Sequence, residues 1–98
     1  MSKRKSNEST LKEAIDRLLK AYRLEDKMTE LTIIERWEQI MGKPIALRTE
    51  EVYIQNKTLF VRLNSSVMRS ELQNAKAKII ELINKDSGKE VINDVHLL

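Results

Sequence analysis

The chain has 98 residues, with 18 Lys+Arg against 15 Asp+Glu for a net charge of +3, and it contains two Gly, one Pro and no Cys. That length holds one domain. The lack of cysteine excludes a disulfide framework, a thiolate zinc site and a cysteine nucleophile.

The 12 Leu, 10 Ile, five Val and one Phe lie well above the share of roughly 20% below which a charged chain stays unfolded, so a folded core is expected. A chain of this size buries only about two-thirds of its unfolded surface, which argues against a deep substrate pocket and a small-molecule substrate. Met1 to Thr10 is basic without an apolar stretch, so no signal peptide is expected. No window reaches the roughly 18 apolar residues of a membrane span, and the expected location is the cytoplasm.

The basic excess is local. Lys3, Arg4 and Lys5 face a single acid, Glu8, in residues 1–9, and Lys43, Arg48, Lys57 and Arg62 face Glu50 and Glu51 in residues 43–64. Residues 1–9 read as a flexible basic tail and residues 10–98 as one folded domain. Thr10 and Glu13 have capping-box spacing, and Leu11, Ile15, Leu18, Leu19 and Tyr22 follow at helical intervals. A second helix is predicted from about Lys27 to Met41, with Met28, Leu31, Ile34, Trp37 and Met41 on one stripe; Gly42 ends it and Pro44 opposes its resumption.

After Pro44 the period changes to two. Glu51-Val52-Tyr53-Ile54 and Thr58 to Leu63 alternate around Asn56-Lys57, which suits a two-residue turn. That register sets Ile54 opposite Leu59, Val52 opposite Val61, Tyr53 opposite Phe60 and Glu51 opposite Arg62. Asn64-Ser65-Ser66 offers N-cap chemistry for a third helix to about Lys85, with Leu72, Ala75, Ile79, Leu82 and Ile83 on its buried stripe. Ser87-Gly88 ends it, and Val91 to Leu98 supplies a last strand at a sheet edge, with Val95 and Leu97 on one face. The expected class is α+β, in the order ααββαβ, with helices layered on one face of a small three-stranded sheet.

Reactive groups are sparse. His96 is the only histidine and has no nucleophile motif near it, the paired carboxylates Glu25-Asp26 and Glu50-Glu51 suit a solvated surface, and two glycines cannot build a phosphate loop. No catalysis, cofactor or metal is expected. The basic residues point elsewhere. Lys3, Arg4 and Lys5 could follow nucleic-acid phosphates, or simply keep the chain soluble. Lys43, Arg48, Lys57 and Arg62 lie close in sequence to Tyr53 and Phe60, a mixture that suits phosphate contact and base stacking. Against this, Tyr53 and Phe60 could be core, and Arg62 could pair with Glu51. Trp37, the only tryptophan, fits either the core or a part-exposed anchor beside Gly42 and Pro44.

The stretch Trp37-Glu38-Gln39-Ile40-Met41-Gly42-Lys43-Pro44-Ile45-Ala46, followed by Leu59-Phe60-Val61, Ser65-Ser66, Glu71-Leu72, Ile79 to Asn84, Gly88 and Val91 to Val95, resembles the DciA-like family of small bacterial proteins over residues 10–98. The resemblance implies a domain related to the KH fold that assists loading of the replicative DNA helicase, binds DNA, and performs no catalysis of its own. Trp37 and Gly42 match the family signature and are carried over as partner-binding residues. Two features depart from the family: Met68 stands where an aromatic is frequent, and there is no basic extension beyond Leu98. The short basic N-terminus would then replace that extension, or DNA affinity would be weak. A GxxG loop is also missing, which removes the usual KH route to RNA. The other function class is a general nucleic-acid-binding module with no helicase partner.

Overall fold

The computed structural model describes residues 2–22 and 24–98, and side chains for residues 10–22 and 24–98. Its elements are α1 (Ser2–Ala21), α2 (Leu24–Glu35), α3 (Trp37–Met41), α4 (Lys43–Leu47), β1 (Thr49–Gln55), β2 (Thr58–Leu63), α5 (Ser66–Gln73), α6 (Lys76–Ser87) and β3 (Asp94–Leu97). The class is α+β with a three-stranded sheet in the order β1-β2-β3. Where three helices were expected, the helical path is broken into six.

The hairpin forms in the register read from its alternation. Ile54 pairs with Leu59, Tyr53 with Phe60, Val52 with Val61 and Glu51 with Arg62. Asn56 and Lys57 take φ values of 50° and 60°, both positive, as the two central positions of a type I′ turn require. Below Glu51 the register shifts, leaving Glu50 unpaired between Thr49 and Glu51. This bulge changes which side chains face inward. Thr49 becomes half-buried while Glu50 stays exposed.

Leu59, Val61 and Leu63 of β2 are buried and meet Ile54, Ile33, Trp37, Ile79, Ile83, Ile92 and Val95 in one core. β3 runs parallel to β2, placing Val95 beside Leu59 and His96 beside Phe60. The strand is shorter than expected, because Val91 and Ile92 belong to the approach to it. There the Asn84 side chain replaces a ladder: its Oδ1 accepts from the Val91 and Ile92 N–H groups at 2.9 and 3.1 Å, and its Nδ2 donates to the Ile92 carbonyl at 2.9 Å. At the other end, Arg69 Nη1 donates to the carbonyls of Leu63 and Leu98 at 3.0 and 3.2 Å, tying α5 to the ends of β2 and β3.

Several helical expectations need correction. The second helix breaks at Arg36, whose N–H is shared between the carbonyls of Thr32 and Ile33 at 3.0 and 3.1 Å. Its buried stripe is Ile33 and Trp37, whereas Met28 and Leu31 are 60% and 59% exposed. Ile33 and Ile34 are adjacent, so α2 carries apolar residues on two sides and periodicity alone does not choose between them. Helix also resumes straight after Gly42, with Pro44 in the first turn of α4, where a missing N–H is harmless. The third helix divides at Asn74 and Ala75: the Asn74 N–H closes onto the Glu71 carbonyl and the Ala75 N–H onto that of Leu72, consistent with the weak helix preference of Asn. Its N-cap is Ser65, which accepts from the Met68 N–H at 3.2 Å. Finally, α1 begins at Ser2 rather than Thr10.

Two contacts generate measurable expectations. Replacing Asn84 by Ala strands two N–H groups and a carbonyl, which should cost about 2 kcal/mol in urea unfolding; Asn84→Asp keeps both accepting bonds and should cost less. Arg36 and Asp86 form a two-pronged pair linking the end of α2 to α6, Nε to Oδ2 at 2.9 Å and Nη2 to Oδ1 at 2.8 Å. The hydrogen bond from Arg36 holds the Asp86 carboxyl below its ordinary range. A carboxyl with a lower pKa in the folded chain stabilises above its unfolded pKa, and that contribution disappears as the pH falls through the folded pKa. Asp86→Asn should therefore flatten the acid side of a plot of Tm against pH and leave its alkaline side unchanged.

Candidate nucleic-acid interface

The parity of β2 decides what the sheet shows to solvent. With Leu59, Val61 and Leu63 facing the helices, Thr58, Phe60 and Arg62 face outward. Across the three strands the outward side chains form rows: Gln55, Thr58 and Asp94; Tyr53, Phe60 and His96; Glu51 and Arg62. The middle row is an aromatic stack. Tyr53 and Phe60 lie 4.9 Å apart with planes 9° from parallel, and Phe60 and His96 lie 5.3 Å apart at 17°. Phe60 is half-buried because it has a ring on each side, and Tyr53 is half-buried too, while His96 is exposed. His96 Nε2 is 3.7 Å from Asp94 Oδ2, an ion pair only when the imidazole is protonated.

The structure thus brings Tyr53, Phe60 and Arg62 onto one face and adds His96, which sequence reasoning set aside as an isolated strand histidine. The missing signal was the parallel pairing of β3, because alternation within Val95-His96-Leu97 gives a face but no neighbour. The remaining basic residues do not converge on this row. Lys57 stands at the turn and lines a shallow hollow with Asp26 and Glu30 of α2. There burial pushes the Glu30 carboxyl up, partly opposed by Lys27. Arg48 lies at the far end of the hairpin, where its carbonyl accepts from the Asn64 N–H at 2.9 Å, roughly 20 Å along the strand from Lys57. Lys43 is exposed at the start of α4. The side chains of Lys3, Arg4 and Lys5 lie outside the described residues. Arg62 faces Glu51, so the outer face is suited to stacking more than to holding a long run of phosphates.

Trp37 and Gly42 occupy a different place. Trp37 is 6% exposed and its Nε1–H donates to Thr49 Oγ1 at 3.0 Å, while that hydroxyl donates to the Ile45 carbonyl at 2.8 Å. One side chain thereby joins α3, α4 and β1. As a direct docking residue Trp37 offers almost no surface, so an influence on a partner would pass through the junction it holds. Gly42, between α3 and α4, has φ 94° and ψ 156°, a region essentially reserved for glycine. A Cβ there would have room, its nearest neighbour being Pro44 Cδ at 3.8 Å, so backbone strain alone selects the residue.

Among the described residues no group of three or more His, Cys, Asp or Glu could hold a metal ion, and no helix is long and apolar enough to cross a membrane. The chain is a small α+β domain whose three-stranded sheet turns an aromatic row outward. A family model described as "Dna[CI] antecedent, DciA" matches residues 10–97, and the chain belongs to that family. The family takes part in loading the replicative helicase DnaB and is not a known enzyme family. No curated protein matches the chain.

The Trp37 geometry separates packing from contact. Trp37→Ala should destabilise the fold by about 3–5 kcal/mol. Trp37→Phe, which keeps the ring but loses the bond to Thr49, should cost about 1 kcal/mol. If the role of Trp37 is positional, Trp37→Phe will retain partner binding wherever thermal melting shows it folded.

Proposed function

We propose that this protein is a non-enzymatic adaptor of DNA replication: it binds the replicative helicase and holds single-stranded DNA on its open sheet face while the helicase ring engages the strand. The observation that carries the reading is the match of residues 10–97 to a helicase-loader family. The DNA component draws its support from the Tyr53, Phe60 and His96 row. Both faces of Phe60 are covered by Tyr53 and His96, so a base would continue the stack on the outer ring at either end, with a contribution of about 1–3 kcal/mol whatever its identity, and duplex bases are already stacked on one another. The face therefore favours single strands. A KH-related fold is part of this reading, supported by the order α-β-β-α-α-β from α4 to β3. The connection Gln73-Asn74-Ala75-Lys76 between α5 and α6 contains no glycine, so the backbone clamp of a GxxG loop is not the means of binding. The cytoplasm, at the nucleoid, is the location that such a role requires.

A general nucleic-acid module without a helicase partner is less well supported. Such a module relies on a continuous basic surface, and here Lys43, Arg48 and Lys57 are dispersed over the ends of the hairpin while Arg62 faces an acid.

Capture of the cognate replicative helicase by the full chain tests the first half of the reading, and a folded wild-type protein that fails to bind it refutes the adaptor role. For the second half, fluorescence anisotropy with a labelled single-stranded oligonucleotide is the measurement. Phe60→Leu keeps an apolar side chain but removes the ring that holds Tyr53 and His96 in one stack; it should weaken binding roughly 10-fold and leave helicase capture intact. Equal affinity of the two proteins would remove the sheet face from the DNA-binding surface.

A further inference from the structure

The seam of α1 is unpartnered. Leu11, Ile15, Leu18 and Tyr22 are 63%, 47%, 52% and 67% exposed, although their spacing of four, three and four keeps them within one narrow arc of a helix. Ala14, Leu19 and Ala21 flank that arc, and Lys12, Glu13, Asp16, Arg17 and Lys20 occupy the opposite side. The helix also stands away from the body. The molecule measures 62 × 23 × 20 Å with a radius of gyration of 17.7 Å, against about 13 Å for a compact chain of 100 residues. A helix in a protein draws most of its stability from packing an apolar face, so the exposed seam calls for an occupant.

Three occupants can be weighed. A lipid surface selects helices whose polar side is rich in Lys and Arg, and here, among the described side chains of α1, Glu13 and Asp16 interleave with Lys12, Arg17 and Lys20 opposite the seam. For a second copy the difficulty is area. At roughly 200 Å² for a fully exposed large side chain, the four seam residues present about 450 Å². Pairing two arms would bury about 900 Å² in total, short of the ~1,200 Å² at which stable interfaces begin. A groove between helices of another protein remains, since it wraps the helix and covers Ala14, Leu19 and Ala21 as well. Anchors at i, i+4, i+7 and i+11 are the pattern of a helix laid in such a groove.

Building on the adaptor reading, we propose that α1 is the element that engages the helicase, its Leu11, Ile15, Leu18 and Tyr22 edge seated in an apolar groove of that protein. The sheet face is then left free for DNA. Among the described residues, no α1 side chain belongs to the buried core, so its seam can be altered without unfolding the domain.

The test measures binding of the full chain to the cognate helicase hexamer, with thermal melting as the folding control. Leu18→Glu and Ile15→Ser should each melt like wild type, and Leu18→Glu should weaken binding by roughly 30-fold or more. Arg17→Glu on the charged side should change it by about twofold or less. If wild type binds and Leu18→Glu binds equally well, the helicase meets another surface: the α1 assignment falls and the adaptor reading survives. If wild type does not bind, the adaptor reading falls and takes the assignment with it. Sedimentation of wild type as a dimer that Leu18→Glu converts to monomer would give the seam to a second copy and overturn the proposal.

Discussion

The structure depends on the two-sided confinement of β2. This strand hydrogen-bonds to β1 on one edge and β3 on the other, and Leu59, Val61 and Leu63 on its inner face are almost wholly removed from water. A slip of one residue would turn all three outward and drive Phe60 and Arg62 into the core, so the register is fixed by the hydrophobic cost of every alternative. The same parity creates the outer face. Phe60 is displayed because Leu59 and Val61 are not, and its two ring neighbours follow from pairing with Tyr53 and His96. The candidate DNA surface is thus the reverse side of the core.

Trp37 acts in the fold through the junction it holds. It closes the angle between α3, α4 and β1 through Thr49, and Thr49 is available only because the bulge at Glu50 reverses the alternation at the start of β1. Gly42 supplies the backbone angle that lets α4 begin immediately after α3. The bulge, the glycine and the indole form one device: it turns the chain from the helical half into the sheet and fixes where β1 begins relative to β2. Without it the hairpin could form, but its inner face would not be held beneath α2 and α6.

The parts legible in the sequence were those governed by neighbours along the chain. Asn56-Lys57 and the flanking alternation determine the β1–β2 register because a two-residue turn leaves no freedom, and Ser65, Gly42 and Gly88 mark helix ends through local backbone chemistry. What escaped depends on distant partners. The parallel pairing of β3, and with it the place of His96, requires the whole α5–α6 crossover. The choice of Ile33 over Met28 and Leu31 as the buried side of α2 depends on what α6 presents. The breaks at Arg36 and Asn74 give no strong signal of Pro or Gly type, and Pro44 misleads because its effect reverses between the interior of a helix and its first turn. Of the candidate site, Tyr53, Phe60 and Arg62 were visible from alternation. The spread of Lys43, Arg48 and Lys57 away from them was not, since proximity in sequence says nothing about which end of a hairpin a residue occupies.

The proposed adaptor role requires two large partners to be held without competing, and the shape of this chain is compatible with that requirement. The apolar arc of α1 lies on a projecting arm, while the aromatic row lies on a sheet whose other face is sealed by the core. Their chemistries differ as well. The arm offers apolar anchors suited to a dry groove, and the sheet offers the end rings of a stack, suited to bases that remain partly hydrated. Because neither surface contributes the residues that stabilise the other, each can change its partner's strength independently. On the proposed reading, the core then serves mainly as the spacer that fixes the distance between them.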